Sequence, residues 1–199
     1  YRFRGPVVEL RNGIPLRLAP QSNVPQSLTS FVGRARERVE FKRLLAKRRL
    51  LTIVGPGGIN KTRLASELAS EIGPHYRDGT WFVDLAPLDS GEWVPNAVAQ
   101  VLRVPQSLNR PLVELVCDFV RGRRLLLILD NCEHVVEAAA QFSETLLRTA
   151  CEPIVIATYR QPLRINGEQV YRLGPLSLPA PQATTEAVQA SEAVQLFVD

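Results

Sequence analysis

The stretch Leu50-Leu51-Thr52-Ile53-Val54-Gly55-Pro56-Gly57-Gly58-Ile59-Asn60-Lys61-Thr62 decides how the chain is read. An apolar, β-branched run that stops at a glycine is the pattern of a buried strand. From Lys61 onward, Leu64, Leu68 and Ile72 recur four apart, which is the apolar stripe of a helix. Between strand and helix, Gly55 to Thr62 follows G-x-x-x-x-G-K-[ST], the P-loop pattern, at every position but one. Such a loop needs glycines because it must wrap tightly around a phosphate with its backbone N–H groups turned inward. Gly55, Pro56, Gly57, Gly58 and Ile59 would form the cradle, with Lys61 set to neutralise β- and γ-phosphates. The Thr62 hydroxyl is the candidate Mg²⁺ ligand, and Arg63 shares the first helical turn, whose N–H groups favour an anion. The exception is Asn60, where the pattern has glycine. Asparagine is the non-glycine residue that best tolerates left-handed backbone, so the loop can keep its shape while the side chain crowds a phosphate.

Working outward, strands and helices alternate. A helix is expected over residues 33–49, with Val39, Leu44 and Leu45 inward, and strands at Thr80–Asp84, 125–129, 154–157 and 170–173. Helices are expected at 93–102, 111–120, 135–150 and from 191 to the end; the third of these would bury Val135, Ala139, Phe142 and Leu146. This alternation implies α/β architecture: a parallel sheet with helices on both faces, a three-layer α/β/α sandwich. The strand Leu125-Leu126-Leu127-Ile128-Leu129 ends in Asp130, whose carboxylate is placed to hold Mg²⁺ as a Walker B element. Asn131 follows where many hydrolytic P-loop enzymes carry a second acid. Glu133 is then either the base that activates water or, with His134, the acidic start of the next helix.

The chain has 199 residues, 45% hydrophobic and 22% charged, which is ordinary for a packed globular protein and excludes disorder or a disulfide scaffold. It contains no methionine and reads as a piece of a longer protein. The net charge of +4 comes mainly from arginines spread along the sequence; Lys42-Arg43 and Lys47-Arg48-Arg49 form one dense cluster. That cluster reads as the solvated face of a helix, with a nucleic-acid patch or import signal as the alternative. Cys117, Cys132 and Cys151 lack metal-ligand spacing and read as reduced, buried thiols of a cytoplasmic protein. The longest apolar run is too short to span a bilayer, so no membrane partner is expected.

Several motifs in one order then resemble a known class. They are Leu28-Thr29-Ser30-Phe31-Val32-Gly33-Arg34, the P-loop, Gly79-Thr80-Trp81-Phe82-Val83-Asp84-Leu85 and Leu129-Asp130-Asn131-Cys132-Glu133-His134. Ala157-Thr158-Tyr159-Arg160, Gly174-Pro175-Leu176 and the run from Ser191 to Phe197 complete the series. Together they resemble STAND-class signal-transduction NTPases, in particular the NB-ARC-like module of bacterial regulators that carry a winged-helix DNA-binding domain. The resemblance implies a P-loop NTPase sheet of order 5-1-4-3-2. It implies that Val32, Gly33 and Arg34 pack on adenine, and that Arg160 faces the γ-phosphate. Pro175 and Leu176 would lead towards a helical domain that closes over the nucleotide. The family more often has serine where Tyr159 stands.

The resulting expectations are as follows. Residues 1–26 are the tail of an upstream winged-helix domain plus linker, since Tyr1-Arg2-Phe3 resembles the last strand of its hairpin. Residues 27–180 are the nucleotide-binding domain, and 181–199 begin a helical domain. Function is an ATP/ADP switch with Mg²⁺ and slow or no hydrolysis. DNA is contacted by the parent protein's winged-helix domain, and the activated form self-associates. The competing reading is a nucleotide-free scaffold, favoured by Asn60; a metabolic P-loop kinase is weaker because no acceptor site is recognisable.

Overall fold

The computed structural model describes residues 10, 11, 14, 15, 21–26, 29, 31–107, 109–177, 184, 189 and 191–198. A short antiparallel pair comes first, β1 (Leu10–Arg11) with β2 (Ile14–Pro15). The main body follows as α1 (Ala35–Leu45), β3 (Leu50–Val54), α2 (Lys61–Ile72), β4 (Thr80–Asp84), α3 (Val94–Leu102) and α4 (Leu112–Val120). It continues with β5 (Leu126–Asp130), α5 (Val136–Thr149), β6 (Ile154–Tyr159), β7 (Glu168–Arg172) and α6 (Glu192–Val198). The resemblance of Tyr1-Arg2-Phe3 to a winged-helix strand lies outside the described residues.

Strands β3 to β7 form one parallel sheet in the order β4-β5-β6-β3-β7. Counted from the strand before the phosphate loop, this is 5-1-4-3-2, as expected. Side chains alternate across each strand, so β5 feeds both layers of the sandwich. Leu127 and Leu129 pack with Val98, Val116, Phe142 and Leu146 beneath α3, α4 and α5. Leu126 and Ile128 face the other way, joining Phe41, Leu64 and Leu68 beneath α1 and α2. All four β5 residues are fully buried, and each such side chain contributes about 1.5–3 kcal/mol relative to exposure.

Three details depart from the sequence reading. Val39 is 67% exposed, and Phe41 takes its place in the core with Leu45 one turn on. A spacing of four selects a face only when the helix's rotation is known, and α1 rotates Phe41 inward. Cys151 is exposed in the turn between α5 and β6, so only Cys117 and Cys132 are buried thiols. Residues 21–23 also run beside β4: Thr80 N donates to Gln21 O at 2.8 Å, and Asn23 exchanges side-chain hydrogen bonds with both backbone groups of Phe82. These polar residues cover an edge strand that would otherwise present open backbone groups.

Candidate phosphate-binding site

Because the sheet is parallel, β3, β4, β5 and β6 all deliver their last residues to one edge, the usual place for ligands in open α/β sheets. At this edge β3 runs into the loop from Gly55 to Asn60, and α2 starts at Lys61. Gly55 has no room for a side chain: a Cβ there would lie 2.3 Å from Ile59 Cδ1 and 3.0 Å from the Leu173 carbonyl oxygen. Ile59 thus packs back on Gly55 and closes the loop. Asn60 has φ 63° and ψ 36°, the left-handed conformation that the missing glycine would adopt, and its side chain makes no capping hydrogen bond. The substitution therefore preserves the loop's backbone and adds an exposed amide at the rim of the cleft. Asn60→Gly is expected to keep the fold and bind ADP about three- to tenfold more tightly, since only an obstructing side chain is removed. Calorimetric titration would check this, and unchanged affinity would mean that the amide obstructs nothing.

The polar groups behind the loop are tightly organised. Lys61 Nζ donates to the carbonyls of Gly55 at 2.9 Å and Pro56 at 3.0 Å. Thr62 Oγ1 donates to Asp130 Oδ2 at 2.9 Å, and Thr158 Oγ1 donates to Asp130 Oδ1 at 2.5 Å. Thr158 Oγ1 also accepts from Asn131 N at 3.1 Å, which pins the turn after β5, where Asn131 has φ 58°. Asp130 is only 5% exposed. Burial pushes its carboxyl above the usual carboxylate range, and the nearby Asp84 adds to this. The Thr158 and Thr62 donors and the Lys61 charge pull the other way without cancelling the rise.

Glu133 lies ahead of α5, which begins at Val136, so it is not the helix's first turn. Its Oε2 sits 2.5 Å from Arg160 Nε. Arg160 Nη2 in turn lies 3.7 Å from where a Cβ on Gly57 would be, so the guanidinium rests against the crown of the loop. His134 points away and meets the Leu88 carbonyl at 2.6 Å.

A cleft of about 580 Å³ opens between these groups. It is lined by Gly57, Gly58, Asn60, Lys61, Thr62, Arg63, Asp130, Glu133 and Arg160 of the sequence-derived set. Pro25, Gln26, Ser66, Glu67, Asn131 and Thr158 join them, and the sequence reading had assigned none of these six to the site. Thr158 had a visible signal, a lone hydroxyl near the end of an apolar strand; Pro25 and Gln26 had none.

Of the expected nucleotide residues, Gly55, Pro56 and Ile59 of the loop do not line this cleft, nor do Val32, Gly33, Arg34, Pro175 and Leu176. Arg34 is buried and donates to the carbonyls of Gly174 at 2.7 Å and Pro175 at 3.5 Å, and to Glu37 at 2.6 Å. Its backbone N–H donates to Glu192 Oε1 at 2.6 Å, which ties α6 to the start of α1. Burial would raise the Glu192 carboxyl, but the Arg34 and Ser177 donors hold it below the usual range. Two motifs 140 residues apart thus meet at one knot beside the loop. Arg63 bridges the two regions: its Nη2 donates to Thr29 O at 2.6 Å, and its guanidinium lies 5.6 Å from the Phe31 ring centre.

The fold has counterparts in known proteins. A STAND signal-transduction ATPase with a tetratricopeptide-repeat sensor from Pyrococcus horikoshii matches 79% of this chain and 25% of its own, with TM-score 0.58 and 16% identity. Cdc6p from Pyrobaculum aerophilum matches 77% of this chain and 48% of its own, with TM-score 0.53 and 15% identity. The fold is that of a P-loop NTPase. By sequence, the chain is 31% identical over 94% of its length to an uncharacterized protein of Mycobacterium tuberculosis, and spans 44% of that protein. It is 37% identical over 80% of its length to another protein of that organism, named an HTH-type transcriptional regulator, of which it spans 17%. No protein-family model matches the sequence.

Proposed function

We propose that this chain is the ATP/ADP-binding switch module of a bacterial transcriptional regulator, of the NB-ARC-like STAND type, with slow or no hydrolysis. The observation that carries the reading is the meeting of Thr62, Asp130 and Lys61 at the glycine-lined mouth of one cleft. A hydroxyl and a carboxylate in contact beside a lysine suit a divalent cation whose remaining ligands are water and phosphate. Among the described residues, no cluster of three or more His, Cys, Asp or Glu could hold a metal alone. Thr62 and Asp130 would therefore hold Mg²⁺ only together with the nucleotide. Held there, Mg²⁺ would supply neutralisation of the phosphates' negative charge.

Each side chain then has a task. The loop N–H groups and Lys61 bind phosphate, releasing the Lys61 ammonium from the Gly55 and Pro56 carbonyls. Thr158 orients Asp130 through their short hydrogen bond. Arg160 reads the terminal phosphate. Slow turnover follows from Asn131 standing where a second acid would stand, and from the Asn60 side chain crowding the loop. Val32, Gly33, Arg34, Pro175 and Leu176 form the adenine side, and the Arg34 knot supports this by joining the two segments.

The remainder of the proposal concerns the whole protein. Residues 1–26 belong to the end of an upstream winged-helix domain and its linker, 27–180 to the nucleotide-binding domain, and 181–199 to the start of a helical domain. DNA is bound through the upstream domain, and the activated form self-associates in the cytoplasm. The HTH regulator named above supports this part, as does the lack, among the described residues, of any helix long and apolar enough to cross a membrane. Titration with ADP and ATP, with and without Mg²⁺, is the test. Saturable, Mg²⁺-dependent binding is expected. A folded protein that binds neither nucleotide would favour the scaffold reading instead.

A further inference from the structure

The charge that is dispersed along the sequence is gathered by the fold. The connections entering β3, β4, β5 and β6 all lie at the amino ends of the parallel strands, opposite the cleft. Lys47, Arg48 and Arg49 enter β3, and Arg121, Arg123 and Arg124 enter β5. Arg77 precedes β4, and Arg148 lies in the last turn of α5. Hydrogen bonds stitch these connections side by side. Arg77 Nη2 donates to Gly122 O at 3.3 Å, and Arg124 N to Asp78 Oδ2 at 2.7 Å. Ile154 N donates to Leu125 O at 3.1 Å, and Arg49 Nη1 to Ala150 O at 2.6 Å.

Of the eight cations on these connections, Arg77 pairs with Asp78 and Arg121 with Asp118. Lys47, Arg48, Arg124 and Arg148 are exposed, and no ion pair to an acid of the described residues engages them. The fold does not consume these four charges.

We propose that this edge is a docking surface for the phosphate backbone of duplex DNA, contacted without regard to sequence. Four adjacent strands set about 5 Å apart give an edge about 14 Å long. That length of duplex carries about eight phosphates on its two strands, enough to engage every exposed cation that can face it. Guanidinium groups, six of the eight cations beyond Lys47 and the stacked Arg123, suit phosphate because they donate in a fork. The choice of duplex DNA over another polyanion rests on the proposed role in a DNA-bound regulator. The edge lies opposite the cleft, so nucleotide and DNA would occupy opposite ends of the sheet together.

The test is fluorescence anisotropy of the purified protein with a labelled 30-base-pair duplex of arbitrary sequence, between 50 and 200 mM NaCl. A log–log salt slope of about −3 to −4 is expected, corresponding to about four phosphates. Lys47→Glu with Arg48→Glu, and separately Arg124→Glu with Arg148→Glu, should each weaken binding about tenfold or more and flatten the slope. Neither pair should lower the melting temperature by more than about 2–4 °C, because all four side chains are exposed and the main cost is the charge reversal at the carboxyl end of α5. Arg36→Glu with Arg172→Glu makes the same charge change at exposed sites near the opposite edge, Arg172 being the last residue of β7, and should weaken binding less than threefold. Salt-independent or absent DNA binding would overturn the proposal, as would equal loss in the Arg36/Arg172 control. Polyglutamate binding as tightly as the duplex would point to an acidic protein surface and overturn it too. ADP titration of the same preparation keeps the readings apart: nucleotide binding without DNA binding removes this inference alone, and DNA binding without nucleotide binding removes the switch alone.

Discussion

Replacing Lys61 with alanine is expected to weaken ADP and ATP binding about 100-fold or more while leaving the fold in place. The lysine is the one ammonium placed at the loop's mouth among the residues lining the cleft, and hydrogen bonds to charged groups contribute about 1.5–3 kcal/mol each. Two such bonds to phosphate account for the factor. The structural loss is small by comparison, since the ammonium's present partners are only two backbone carbonyls of the loop. Gly55, held by Ile59 and the Leu173 carbonyl, and Asn60, already left-handed, keep the loop's shape without it. Adenosine, which has no phosphate, should bind the variant and the parent alike. Equal ADP affinity in both proteins would sink the assignment of the loop.

Asp130→Asn is expected to act in opposite directions on stability and on binding. Burial holds the Asp130 carboxyl above the usual range, so the folded state favours its protonated form. That contribution is complete below the ordinary carboxylate value and is lost as pH rises through the raised one. At neutral pH the ionised group therefore costs stability. An asparagine removes the charge yet can still accept from Thr158 and donate to the Thr62 hydroxyl, which rotates to suit. The melting temperature at pH 7 should rise by about 2 °C, and the gap from the parent should close towards pH 4. Mg²⁺-dependent nucleotide affinity should fall about 10- to 100-fold, because a neutral amide holds a cation poorly. A lower melting temperature would mean that the carboxylate's hydrogen bonds outweigh its desolvation.

Much of this site is legible in the sequence, for identifiable reasons. Strands covered on both faces leave unbroken apolar runs, and β3 and β5 announce themselves that way. The loop's glycines and Lys61 fall at fixed spacing, and Asp130 stands where β5 meets the cleft. The strand order came from the resemblance, because alternation alone does not order parallel strands. What stayed hidden depends on three-dimensional neighbours. Gln21 and Asn23 cover β4 with backbone and amide groups, which leave no hydrophobic signature. Thr158 acts on Asp130 across two adjacent strands, 28 residues apart. Of the basic edge only Lys47-Arg48-Arg49 stood out as a cluster, with a nucleic-acid patch as the less favoured reading. The edge as a whole is scattered over about a hundred residues, and only the sheet's direction unites its members. Val39 was misplaced because its spacing suited two faces of α1.

The pairing of Arg160 with Glu133 gives the proposed switch a threshold. An unoccupied arginine would answer to any anion, chloride included. In the proposed reading a terminal phosphate, which carries more charge than a halide, competes with the Glu133 carboxylate for this guanidinium. Glu133 thus sets the reference against which the phosphate is compared. The Arg160 side chain is 67% exposed, and exposed pairs are worth about 0–1 kcal/mol, so the comparison is cheap to make and to undo. A detector built this way resets by itself when the terminal phosphate leaves.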